Sequence, residues 1–200
     1  MTVTSFDLSY DYRCPFAKNI HLHVLKALEA GGDLDVNFVP WTLSQGGRAE
    51  GGPDVWNDPT FDGDHLALAV SVSIRDRQGD RFLAAHAALF RARHEQAIRL
   101  VTLDEIRDVL VPLGVDMPEV ERDLESRRPH EVIGKSYEEF TTYEAFGVPT
   151  FVVNGDATFV RYMTSPTDDG RASIKIIESL LTMMSGQSDL NEFKHTRLPY

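Results

Sequence analysis

The chain of 200 residues carries 20 Lys and Arg against 31 Asp and Glu, a formal net charge of −11. An acidic surface does not suit nucleic acid, whose phosphates are held by clustered cations. Hydrophobic residues at 42% and charged residues at 26% describe an ordinary globular balance, and a chain this long buries roughly 70% of its unfolded surface.

From the amino terminus, residues 1–13 lack the basic stretch and apolar run of a secretory signal, so a cytoplasmic protein is expected. Residues 3–10 alternate, with Val3, Ser5, Asp7 and Ser9 on one side and Thr4, Phe6, Leu8 and Tyr10 on the other, which predicts a strand. After Cys14, Pro15 suits the first helical position, where its missing N–H costs nothing. Ile20, Val24, Ala27 and Leu28 then form an apolar stripe closed by Gly31 and Gly32. Residues 35–43 alternate again through Val36, Phe38 and Leu43, and Pro40 marks an edge or a bulge. Residues 44–64, rich in Gly, Pro, Asp and Asn, read as a loop carrying Trp56 and Phe61.

Helical spacing dominates from residue 65 to 146. Leu66, Val70 and Ile74 recur on one face; this apolar run is far short of the roughly 20 residues that cross a bilayer, and no membrane partner is expected. A break at Gln78, Gly79 and Asp80 precedes Phe82, Ala85, Leu89 and Phe90. Thr102 with Glu105 is a capping-box signature, Pro118 can start a short acidic helix, and Pro129 can open another through Val132, Ile133, Tyr137 and Phe140, closed by Gly147. Thr150 to Val153 and Ala157 to Met163 flank Asn154 and Gly155, a strong hairpin signal. Ile174, Ile177, Leu180 and Leu181 define a last helix over 168–184, and 185–200 is a polar tail.

A single cysteine, Cys14, excludes an intrachain disulfide and a multi-cysteine metal site. It is either a buried thiol or a reactive one. At the start of a helix its sulfur would meet unpaired amides and the positive end of the dipole, which lower a thiol pKa; Arg13 and Lys18 would help and Asp11 would oppose. No metal site is expected, since Asp62, Asp64 and His65 lack a full ligand spacing. Gly134, Lys135 and Ser136 end like a phosphate loop, but in a segment that reads as helix.

Two segments carry a family resemblance. Cys14-Pro15-Phe16-Ala17 opens a helix after the first strand, and Gly147-Val148-Pro149-Thr150-Phe151-Val152-Val153-Asn154-Gly155 follows some 130 residues later. The chain resembles the DsbA-like thioredoxin-fold oxidoreductases. The resemblance implies an α/β fold: a thioredoxin-like sheet (βαβ + ββα) over residues 1–64 and 147–184, interrupted by an all-helical insertion at 65–146. It also implies that Cys14 is the catalytic nucleophile, that Pro149 is cis, and that Pro15, Phe16, Val148, Pro149 and Thr150 meet the substrate, the backbone of Val148 lying beside the Cys14 sulfur to hold a thiol-containing substrate as an added strand.

Dithiol members carry a second cysteine where this chain has Ala17, so Cys14 can form only a mixed disulfide that an outside thiol resolves. The expected co-substrate is a low-molecular-weight thiol such as glutathione or mycothiol, with no tightly bound cofactor. Relatives of the family, the kappa-class glutathione transferases and the 2-hydroxychromene-2-carboxylate isomerases, also work without a cysteine pair. The alternatives are therefore a thiol-dependent isomerase or transferase, or a thioredoxin-fold binding protein without turnover. His21, His86 and His94 are either structural or assist proton transfer to a leaving thiolate. The arginines at 75, 77, 81, 91, 93 and 99 form either a solvated face or a surface for a carboxylate-bearing thiol.

Overall fold

The computed structural model describes residues 4–197. Residues 1–3, with Val3 of the first predicted strand, and residues 198–200 of the polar tail lie outside it. The opening unit is β1 (Ser5–Tyr10), α1 (Pro15–Glu29) and β2 (Asp35–Pro40), with β1 and β2 parallel and Leu8 opposite Phe38. Gly31, at φ +82, ends α1: its N–H reaches the Leu28 carbonyl and that of Gly32 the Ala27 carbonyl, the paired bonds of a left-handed helix stop.

Short 3-10 turns at 43–47, 55–57 and 59–61 occupy the predicted loop and lead into five helices. These are α2 (Asp62–Arg77), α3 (Gly79–His94), α4 (Leu103–Leu110), α5 (Met117–Glu125) and α6 (Arg128–Thr142). Thr102 and Glu105 make the capping box of α4. α2 is central to this layer and packs on α3, α5 and α6. Gly134 of α6 lies beneath Trp56, where a Cβ would come within 2.6 Å of the indole nitrogen. Close packing in a helix, not a phosphate loop, explains that glycine.

The sheet is completed by β3 (Thr150–Val153) and β4 (Asp156–Phe159), and its order is β2-β1-β3-β4. β3 runs antiparallel to both neighbours, with Leu8 opposite Phe151 and Val152 opposite Ala157. Asn154 and Gly155 both take positive φ, 54° and 89°, as a two-residue hairpin turn matched to strand twist requires. Finally α7 (Gly170–Gly186) packs on α1. Phe6, Leu8, Ile20, Val24, Phe151, Ile177 and Leu181 are buried in the core, with the Phe6 and Phe151 rings stacked at 5.3 Å.

Several boundaries differ from the sequence reading. β2 stops at Pro40 and does not reach Leu43, which begins a 3-10 turn. α6 stops at Thr142, and the residue that turns the chain is Glu144 at φ +58, not Gly147. The Ala145 N–H reaches the Phe140 carbonyl and the Glu144 N–H that of Thr141, so the chain turns three residues earlier than the glycine suggested. The second hairpin strand stops at Phe159 and does not run to Met163. Side chains of α1 draw residues 160–165 off the sheet: Asn19 Nδ2 donates to the Tyr162 carbonyl at 3.0 Å and His23 Nε2 to the Thr164 carbonyl at 3.2 Å.

A buried row of polar groups docks the helical layer onto the sheet. His21 Nε2 lies 3.1 Å from the Ser9 carbonyl and must donate to it. Its Nδ1 therefore accepts from His86 Nε2 at 2.9 Å, and His86 Nδ1 accepts from the Tyr12 hydroxyl at 2.7 Å. Alongside, the Tyr10 hydroxyl meets Ser71 Oγ at 2.9 Å, which itself donates to the Leu68 carbonyl. Every proton in the row has one position, so the row specifies a register between the two layers.

Candidate active site

Cys14 stands at the N-cap of α1 with extended backbone, φ −90 and ψ 117, and its sulfur accepts the Ala17 N–H at 3.4 Å. Pro15 at the first helical position removes one competing donor. On its other side the thiol donates to the Val148 carbonyl at 3.2 Å, and the Val148–Pro149 peptide is cis. Ser9 Oγ accepts the Thr150 N–H at 2.9 Å, and the Thr150 hydroxyl donates to the Gly147 carbonyl at 2.8 Å, so both ends of the proline segment are tied down. Cys14, Pro15, Phe16, Val148, Pro149 and Thr150 are thus brought together. Pro15 is exposed and Phe16 half-buried at the rim, whereas the Thr150 side chain points inward and shapes the loop.

The electrostatics run against the expected low pKa. Cys14 is 8% exposed. Burial pushes its thiol above the ordinary value, outweighing the Ala17 and Phe16 amides; Asp11 adds to the push and Arg161 opposes it. Arg13 does not help, because its guanidinium is turned to Asp11 at 2.6 Å, Ser44 at 2.8 Å and Asp64 at 3.1 Å. Lys18 faces Glu95 at 3.6 Å. Both cations that the sequence set beside the thiol are spent on other partners.

The histidines are not at the sulfur's service. His21 and His86 lie in the buried row, and burial lowers His21 to about 3 and His86 well below the usual range, which leaves both neutral. His94 Nε2 donates to the Tyr12 carbonyl at 2.8 Å and steadies the chain leading to Cys14. The arginine cluster is dispersed as well: Arg75 is taken by Asp76 and the Phe38 carbonyl, Arg77 reaches Asp123, Arg81 reaches Asp80, and Arg93 bonds the Arg99 carbonyl. A small cavity of about 70 Å³ lies between Arg13, Asp64, Arg93, Arg99 and Val101. The sequence reading missed Arg161, which lies over Phe16 with its guanidinium carbon 4.8 Å from the ring centroid. No local signal marked it, since its position depends on contacts with α1.

Among the described residues, no cluster of three or more His, Cys, Asp or Glu is placed to hold a metal ion, and no helix is long and apolar enough to cross a membrane. A search of curated protein sequences finds no match. Among solved structures, the cytosolic disulfide reductase DsbM from Pseudomonas aeruginosa with GSH is similar at a TM-score of 0.62 and 15% identity, over 88% of this chain and 98% of that one. The thiol-disulfide oxidoreductase MdbA from Actinomyces oris is similar at 0.60 and 16% identity, over 84% and 78%. The oxidoreductase DsbA from Xylella fastidiosa is similar at 0.54 and 20% identity, over 92% and 87%. At these identities the likeness is one of fold. The model of the DSBA-like thioredoxin domain matches residues 6–169, from the first strand to the N-cap of α7, and by that match the chain belongs to the family of DSBA-like thioredoxin domains.

Proposed function

We propose that the chain is a monothiol oxidoreductase in which Cys14 attacks a disulfide and a low-molecular-weight thiol of the glutathione type resolves the product. The observation that carries this reading is the seat of the sulfur, at a helix N-cap and against the backbone of Val148 beside Pro149. The thiol loses its proton to solvent, since a carbonyl cannot keep it. The Ala17 N–H then holds the thiolate. Attack forms the Cys14 mixed disulfide and expels one substrate sulfur as thiolate; a second thiol attacks the mixed disulfide and restores Cys14. Ala17 leaves no internal thiol to do this. Pro15, Phe16, Val148 and Pro149 border the incoming disulfide, and Thr150 fixes the loop.

One observation favours a second reading, a binding protein without turnover: burial holds Cys14 in its protonated form. A coupled assay separates the two. With glutathione and a small mixed disulfide as substrates, the first reading expects turnover that scales with glutathione and vanishes in Cys14→Ser. Equal rates for wild type and Cys14→Ser would leave only the second.

A further inference from the structure

Arg161 is fastened from both sides. The Val160 N–H donates to the Pro149 carbonyl at 3.1 Å, and Asn19 Nδ2 donates to the Tyr162 carbonyl at 3.0 Å. Asn19 is buried, and its Oδ1 accepts from Ser165 Oγ at 3.0 Å, so neither end of this strap is free to swing. One anchor is the proline beside the thiol and the other is the helix that the thiol caps. Between them the Arg161 guanidinium carbon lies 4.8 Å from the ring centroid of Phe16 and 5.9 Å from that of Phe159. Phe16 is two residues from Cys14, so the charge stands at the rim of the sulfur. Its positive field opposes the push that burial puts on the thiol.

The side chain is exposed, and no acidic group among the described residues pairs with it. Arg13, Arg48, Arg107 and Arg127 by contrast each grip a carboxylate. A guanidinium held over aromatic rings keeps its N–H edge free, and that edge matches a carboxylate. The net charge of −11 would repel an anion at long range, but physiological salt screens charges beyond about 8 Å, so the nearest cation decides.

Resting on the reading of Cys14 as nucleophile, we propose that Arg161 is a specificity-determining residue that selects disulfides bearing a carboxylate, binding that group while the sulfur meets Cys14. Glutathione carries carboxylates, whereas mycothiol does not. In the step concerned, the Cys14 thiolate bonds one sulfur of RS–SR as the RS–SR bond breaks. RS⁻ leaves with the electron pair and takes a proton from solvent, so that Cys14 is oxidised and RS reduced.

The test measures the rate of mixed-disulfide formation at Cys14, at one pH, with three probes: anionic glutathione disulfide, neutral hydroxyethyl disulfide and cationic cystamine. A change in the acidity of Cys14 scales all three rates together, whereas carboxylate binding changes their ratio. Arg161→Gln should lower the ratio of the glutathione to the hydroxyethyl rate about tenfold, the effect of one charge-assisted hydrogen bond. Arg161→Lys should keep part of the ratio, and Arg161→Glu should shift preference toward cystamine. An unchanged ratio in Arg161→Gln would overturn the assignment while leaving Cys14 as nucleophile. Failure of the wild type to react with any of the three would overturn both.

Discussion

Cys14 holds its proton more tightly than a free cysteine, because burial penalises the thiolate more than the Ala17 and Phe16 amides favour it. The Val148 carbonyl adds a preference of its own, since it accepts a hydrogen bond from the thiol and can only repel the thiolate. Alkylation of Cys14 should therefore be slow at neutral pH, rise about tenfold per pH unit, and reach its midpoint above the free value of about 8.5. A midpoint well below that value would mean that the sulfur is better solvated than its 8% exposure implies. The sequence pointed the other way for a tertiary reason. Arg13 lies next to Cys14 in the chain, yet Asp11, Ser44 and Asp64 converge on its guanidinium from three different segments.

At the scale of elements, α1 carries most of the chemistry. Cys14 caps it and fully buried Ala17 completes its first turn, and side chains three apart on a helix are neighbours. Ala17→Cys should thus form an internal disulfide in a glutathione redox buffer, seen as loss of both free thiols without a glutathione adduct; a mixed disulfide at Cys14 should then be resolved internally, and the buffer thiol should reduce the internal disulfide to close the cycle. Two thiols that stay free, or an accumulating mixed disulfide at Cys14, would contradict this geometry. The strand–helix–strand opening was legible in the sequence because its signals are local: alternation in β1, Pro15 at the helix start and Gly31 at its end. So was the Asn154-Gly155 turn. The end of α6 was not, because Glu144 takes a left-handed conformation that nothing about glutamate announces. Nor was the departure of residues 160–163 from the sheet, which is imposed by Asn19 and His23 from another element. Arg161 was missed for the same reason, and the roles of His21 and His86 depend on a contact between two layers.

In the whole molecule the buried histidines set the response to acid. Burial holds His21 at about 3, His65 at about 4 and His86 well below its ordinary value, so all three are neutral in the folded chain. In the unfolded chain they take protons below about pH 6.5. The unfolded state then binds more protons than the native one, so their contribution to stability is complete above about pH 6.5 and is lost as pH falls toward the folded values. Each such histidine costs about 1.4 kcal/mol per pH unit in that window. The urea midpoint should fall steeply between pH 7 and pH 5; an equal midpoint at both would show that the histidines are not buried as neutral groups. This sensitivity belongs to the docking of the two layers, whereas the proposed chemistry rests on one sulfur. The most direct test of that chemistry is the intact mass of the protein after incubation with glutathione disulfide at mildly alkaline pH. The account predicts a single glutathione adduct, absent from Cys14→Ser and removed by added glutathione; an unmodified wild-type mass would contradict it.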